Sequence, residues 1–141
     1  MSTVDKQTAN AADPAAHTST PRVELHDIRL TVADGYATLH LGRTEESMVT
    51  LTESRIEQIE VAIRKLATTT DLRGVTITGP GPGMFCAGAD VNLIRDITVA
   101  KDGETAAIRG RSVFAMLQDL KVPVVAAIEG PSLGGGFELA L

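Results

Sequence analysis

Two short stretches carry the residue types that could do chemistry. One runs Gly79-Pro80-Gly81-Pro82-Gly83-Met84-Phe85-Cys86-Ala87-Gly88-Ala89-Asp90, and the other runs Glu129-Gly130-Pro131-Ser132-Leu133-Gly134-Gly135-Gly136 and is followed by Glu138. Each lies where an apolar, strand-like run hands over to a helical one. At a helix N-terminus the first amide N–H groups lack intrahelical partners, and the dipole presents its positive end. Small residues there let a ligand oxygen approach those amides closely. Either loop alone is compatible with simple tight packing. Together, and with a carboxylate after the second, they have the make-up of two converging donors beside an acid or base, an oxyanion hole. Glu138 would feel opposed pulls: apolar neighbours Phe137, Leu139, Ala140 and Leu141 disfavour its charge, while a helix N-terminus favours it. The plain alternative is a first-turn glutamate that faces solvent and complements the dipole.

The elements that must position these loops are legible as patterns. Ile28, Leu30 and Val32 alternate on one run and Ala37, Leu39 and Leu41 on the next, around an Ala33-Asp34-Gly35 turn, which predicts a hairpin. Thr50-Leu51-Thr52-Glu53 has the spacing of a capping box with Thr50 as the cap. Behind it Ile56, Ile59, Ile63 and Leu66 form a helical stripe, with Glu60 and Arg64 paired on a more polar face. Val75 to Thr78 reads as a strand, a helix is expected from about Val91, and a longer one from about Thr105 to Leu120 with Val113, Met116, Leu117 and Leu120 inward. Val124 to Ile128 is apolar without alternation, which predicts a strand covered on both faces. Strands separated by helices point to an α/β architecture with parallel pairing.

Phe85-Cys86-Ala87-Gly88-Ala89-Asp90 followed by Gly134-Gly135-Gly136-Phe137-Glu138-Leu139-Ala140 resembles the paired signature of the enoyl-CoA hydratase/isomerase, or crotonase, family. The resemblance covers Val23 to the end of the chain. It implies an α/β crotonase-like spiral of ββα turns, of which this chain carries the N-terminal portion, and hydration of 2-enoyl-CoA thioesters in fatty-acid β-oxidation. It further implies that the thioester oxygen is held by the amides of Ala89 and Gly135, and that Glu138 is one of two catalytic glutamates, the second lying beyond Leu141. Ala87, Gly88, Ala89, Asp90, Val91, Asn92, Gly134 and Gly135 would then contact the acyl-CoA, with Asp90 also capping the next helix. Met48-Val49-Thr50-Leu51 and Gly88 to Ile94 are similar to the multifunctional β-oxidation α-subunits, although Val49 stands where they carry asparagine and no proline follows Arg43. Coenzyme A would be part of the substrate, so no separate cofactor is expected. A homo-oligomer or a multifunctional β-oxidation complex is the expected assembly.

Two readings compete with hydration. Gly130-Pro131-Ser132-Leu133-Gly134 matches the nucleophile elbow of an α/β-hydrolase esterase, with Ser132 as nucleophile, although His17, His26 and His40 all precede it. A noncatalytic homologue that only binds acyl-CoA is the other. Gly79-x-Gly81-x-Gly83 lacks the third Rossmann glycine, because Met84 stands in its place, and no phosphate-loop lysine is present.

Composition narrows the classes further. The 141 residues suffice for one core, and 43% of them are apolar. Residues 1–22 are rich in Ser, Thr, Ala, Asn and Asp and are expected to be a disordered tail before a domain at 23–141. The net charge of −5 argues against nucleic-acid binding. The single cysteine, Cys86, cannot form an internal disulfide and is expected to be a small buried residue. With scattered histidines no metal site is expected. No membrane span is expected either, and a cytoplasmic location is the default.

Overall fold

The computed structural model describes residues 22–141. The tail expected at 1–22 therefore lies, apart from Arg22, outside the described residues. The chain builds a five-stranded sheet in the order β1-β2-β3-β4-β5. Its strands are β1 (Arg22–Glu24), β2 (Arg29–Ala33), β3 (Tyr36–His40), β4 (Gly74–Thr78) and β5 (Val124–Ala127). The first three are antiparallel neighbours, and β3, β4 and β5 are parallel. The helices are α1 (Glu53–Ala67), α2 (Val91–Arg95), α3 (Ala100–Gln118) and α4 (Gly135–Ala140).

The hairpin forms as its alternation predicts. Asp34 and Gly35 both have positive φ, 51° and 80°, the backbone that a two-residue turn between twisted strands requires. Strand β1 was not anticipated, since only three residues pair there, Arg22 to Glu24 with Thr31 to Arg29.

Helix α1 buries Ile56, Ile59, Ala62, Ile63 and Leu66 against the sheet. Each fully buried Ile or Leu contributes about 1.5–3 kcal/mol relative to exposure. The core beneath it comprises Leu30, Leu39, Leu41, Val75, Ile77 and Phe85. The cap, however, is Thr52 and not Thr50: the Arg55 N–H donates to Thr52 Oγ1 at 3.2 Å. The cause is nonlocal, because the Leu51 N–H donates to the Gly88 carbonyl (2.8 Å) and holds Leu51 extended. Glu60 pairs with Arg64 at 2.6 Å as expected, and also with Arg109 of α3.

Helix α3 starts five residues before the expected Thr105, and it turns Val113 and Leu117 into the core with Met116 and Leu120 partly buried. The expectation for β5 fails in part. It is the last strand of the sheet, none of its residues is buried, and Val125 is 58% exposed. An apolar run can signal burial on two faces, but what lies over an edge strand is not written in the run itself.

Candidate active site

Parallel pairing of β4 with β5, from Val75 opposite Val124 to Thr78 opposite Ala127, sends both small-residue loops out past the C-terminal ends of the two strands, on the same end of the sheet. They continue side by side. The Gly83 N–H donates to the Glu129 carbonyl (3.1 Å), the Cys86 N–H to Pro131 (3.0 Å) and the Leu133 N–H to Cys86 (3.0 Å), so that Cys86 and Ser132 form a parallel bridge. Phe85 and Cys86 are fully buried, which anchors the first loop through its side chains and leaves its backbone for other work. Burial pushes the Cys86 thiol up from its usual value, so it is a packing residue, as anticipated.

Beyond Cys86 the first loop turns onto the Val49–Leu51 segment. The Ala87 N–H donates to the Val49 carbonyl and the Gly88 carbonyl accepts from the Leu51 N–H, each at 2.8 Å. Consecutive residues thus face the same neighbour, a phase change that the positive φ of Gly88 (87°) makes possible. In the register of the Leu51–Ala89 bridge, the Ala89 amide is then directed away from that segment. Asp90 caps α2, its Oδ1 accepting from the Asn92 N–H at 2.8 Å, which is the expected role. Val91 and Asn92 are exposed on α2.

The second loop ends on Gly134, whose φ of 49° turns the chain into α4. The amides of Gly136, Phe137 and Glu138 bond back to Leu133 and Gly134. Gly135 is the first helical residue, a position whose N–H has no acceptor within the helix. The loops touch here. A β-carbon built on Gly88 would lie 2.6 Å from the Leu133 oxygen and 3.2 Å from the Gly135 nitrogen, and one on Gly136 would lie 2.3 Å from the Cys86 oxygen. Ala87, Gly88, Ala89, Gly134 and Gly135 therefore belong to one locality, the meeting of two loops.

Glu138 is one helical step from this contact, three residues after Gly135 and on the same side of α4. Its apolar sequence neighbours do not enclose it among the described residues. Gly136 and Leu139 turn inward, while Phe137 is 51% and Leu141 84% exposed, and Glu138 itself is exposed. Helical geometry explains this, since only every third or fourth residue faces the sheet.

Ser132 does not have the setting of a nucleophile elbow. It lies in the bridge to Cys86 with its Oγ buried and without a hydrogen-bond partner among the described residues. An elbow serine is exposed at the tip of a strained turn. Sequence reading also missed Arg55, a buried arginine that bonds Glu46 and the Thr50 carbonyl. Its only signal was a cation next to the apolar stripe of α1.

Residues 33–141 match the family described as Enoyl-CoA hydratase/isomerase. The chain is 41% identical over 108 residues to a fatty acid oxidation complex subunit alpha from Idiomarina loihiensis, an alignment covering 77% of this chain and 15% of that protein. Among solved structures it is similar to an enoyl-CoA hydratase from Bacillus anthracis, at 30% identity and a TM-score of 0.72, covering 81% of this chain and 44% of that one. It is also similar to Pseudomonas aeruginosa DspI, at 27% identity and a TM-score of 0.73, covering 89% and 49% respectively. The chain thus spans less than half the length of these proteins, and its architecture is the N-terminal portion of the crotonase-like α/β fold. By the extent of that match, the chain belongs to the enoyl-CoA hydratase/isomerase family.

Proposed function

We propose that this chain supplies the thioester-binding half of an active site that hydrates 2-enoyl-CoA in fatty-acid oxidation. The observation that carries the reading is the contact of the two loops at Gly88 and Gly135, which brings the first amide of α4 beside the backbone that leads into Ala89. Adding water across the double bond moves negative charge onto the thioester oxygen. The Ala89 and Gly135 amides would stabilise that charge without reorganising, each contributing about 2.7–4 kcal/mol. Neither donor needs a side chain, which accounts for the small residues.

Glu138 would serve as acid/base at the adjacent carbon, working with a second carboxylate outside the chain. Ala87 to Asn92 and Gly134 to Gly135 would line the path of the acyl-CoA, whose coenzyme moiety is substrate and not a resident cofactor. The family's name covers isomerases as well; hydration is the reading favoured here because Glu138 stands where the resemblance puts the first of the hydratase's two catalytic glutamates. Assembly as a homo-oligomer or within a fatty acid oxidation complex, in the cytoplasm, is part of the same proposal.

The test is Glu138→Gln in the full-length protein, followed by the ultraviolet absorbance of the enoyl thioester. Turnover should fall by roughly 10²–10⁴-fold while acyl-CoA binding persists. Unchanged turnover would remove Glu138 from the mechanism, and absence of turnover in the unaltered protein would favour a binding-only homologue.

A further inference from the structure

Arg55 stands in the first turn of α1 and is only 4% exposed. Its Nη2 donates to both carboxylate oxygens of Glu46, at 2.7 and 3.0 Å, and its Nη1 donates to the Thr50 carbonyl. Glu46 Oε2 in turn accepts from the Arg43 backbone N–H at 2.7 Å. One guanidinium therefore ties together residues 43, 46 and 50. The Thr50 carbonyl lies between the two rungs that hold the first loop, Ala87 N–H to Val49 and Leu51 N–H to Gly88.

This arrangement is an uneconomical way to stabilise a fold. The Arg55 Nε is buried and has no hydrogen-bond partner among the described residues. Replacing a buried ion pair by apolar residues of similar volume is often neutral or stabilising. What the pair provides, and apolar side chains cannot, is a directed bond to one particular carbonyl.

We propose that Arg55 is a positioning residue: through Thr50 it fixes the Val49–Leu51 segment, and through that segment the Ala87-Gly88 backbone and the direction of the Ala89 amide. Its effect on turnover rests on the hydratase reading above, whereas its hold on the loop does not. Neither Arg55 nor Glu46 is among the residues proposed to line the acyl-CoA path, so the role is one of positioning. The device acts on geometry, where a misplacement of about 1 Å can cost 10²-fold in rate.

The experiment compares the full-length protein with Arg55→Met, Glu46→Gln and the double variant Glu46→Leu/Arg55→Leu. Three quantities are measured: thermal stability, hydrogen–deuterium exchange in peptides covering 48–52 and 85–90, and kcat and KM for an enoyl-CoA. Arg55→Met should speed exchange in both peptides, leave the hairpin of β2 and β3 protected, and lower kcat roughly 10–100-fold with KM changed less than about threefold. Should Arg55→Met not fold, Glu46→Gln, which leaves the Thr50 bond, is expected to loosen the same two peptides to a smaller extent. In the double variant stability should recover while exchange stays fast and kcat stays low. Unchanged exchange in the single variants, or recovery of exchange and kcat together with stability, would overturn the proposal. Loosened loops in a protein without hydratase activity would support the positioning role and refute the functional reading instead.

Discussion

A β-carbon placed on Gly88 would sit 3.2 Å from the backbone nitrogen of Gly135, so the two loops approach to the limit that a missing side chain allows. The contact is made from opposite directions: Gly88 enters it with a φ of 87°, and Gly135 enters it as the first residue of α4. Two main-chain bonds at Cys86, to Pro131 and from Leu133, and a third from Gly83 to Glu129 keep the loops in this register.

Gly88→Ala is expected to be poorly tolerated for two separate reasons. The left-handed backbone is strained for any residue with a β-carbon, and the new methyl would lie 2.6 Å from the Leu133 carbonyl oxygen, which cannot rotate aside. A loss of about 1–3 kcal/mol in unfolding free energy should follow. Gly135→Ala is the contrasting case, since its methyl would meet only the Leu51 side chain, at 3.0 Å, and that side chain can shift. Denaturant titrations of the two variants check the contrast; equal losses would mean that the loops do not meet as described.

Gly135→Pro tests the donor itself. The first position of a helix accepts proline because its N–H has no partner in the helix, so α4 should still form. The amide proton, however, is gone. Turnover should fall by at least roughly 10²-fold, the usual cost of one oxyanion-hole donor, since the ring Cδ both replaces the proton and takes the space of the thioester oxygen. Kinetics and binding measured on the same preparation decide it, and full activity in a folded Gly135→Pro protein would exclude this amide as a donor.

His40 gives the fold a pH dependence whose sign can be worked out. Burial, and secondarily the charge of Arg29, hold its imidazole below the ordinary 6.5, against a smaller opposing effect from the Gly79 backbone. The unfolded chain therefore takes up the proton first as pH falls. The stability associated with neutral His40 is complete above about pH 6.5 and is lost progressively below it, toward the folded-state value. His40→Gln should flatten this slope. Unfolding free energies at about pH 7.5 and about pH 5.5 make the comparison, and an identical slope in the variant would show that His40 is not the group responsible.

Much of this was legible in the sequence wherever the determining contacts are local. Asp34-Gly35 specifies its own turn, and Ile56, Ile59, Ile63 and Leu66 specify their own helix face. The likeness of the two loops was equally readable, because small residues at a strand-to-helix junction have a local meaning. What sequence could not supply was set by distant partners. Leu51 bonds to Gly88 and so moves the helix cap from Thr50 to Thr52. Val125 is exposed because no described element packs fully over its face of the sheet, where its partner Thr76 on β4 is also only partly buried, a fact of tertiary arrangement and not of composition. Arg55 is buried because Glu46 and the Thr50 carbonyl wait for it, and nothing in the helical pattern announces them.

Ser132→Ala separates the esterase reading from hydration and carries a stability prediction as well. The Ser132 hydroxyl is buried without a partner among the described residues, and such a group costs about 1–3 kcal/mol relative to one that is satisfied. Removing it deletes that cost and leaves a small void, because the site already accommodates the β-carbon. Stability should stay within about 1 kcal/mol of the unaltered protein, on either side. A nucleophilic serine would take essentially all turnover with it, whereas a residue that only spaces the bridge to Cys86 would leave enoyl-CoA hydration nearly intact. Assaying the variant against an enoyl-CoA and against a simple ester distinguishes the two, and loss of thioester chemistry with the fold preserved would put Ser132 back at the centre of the reaction.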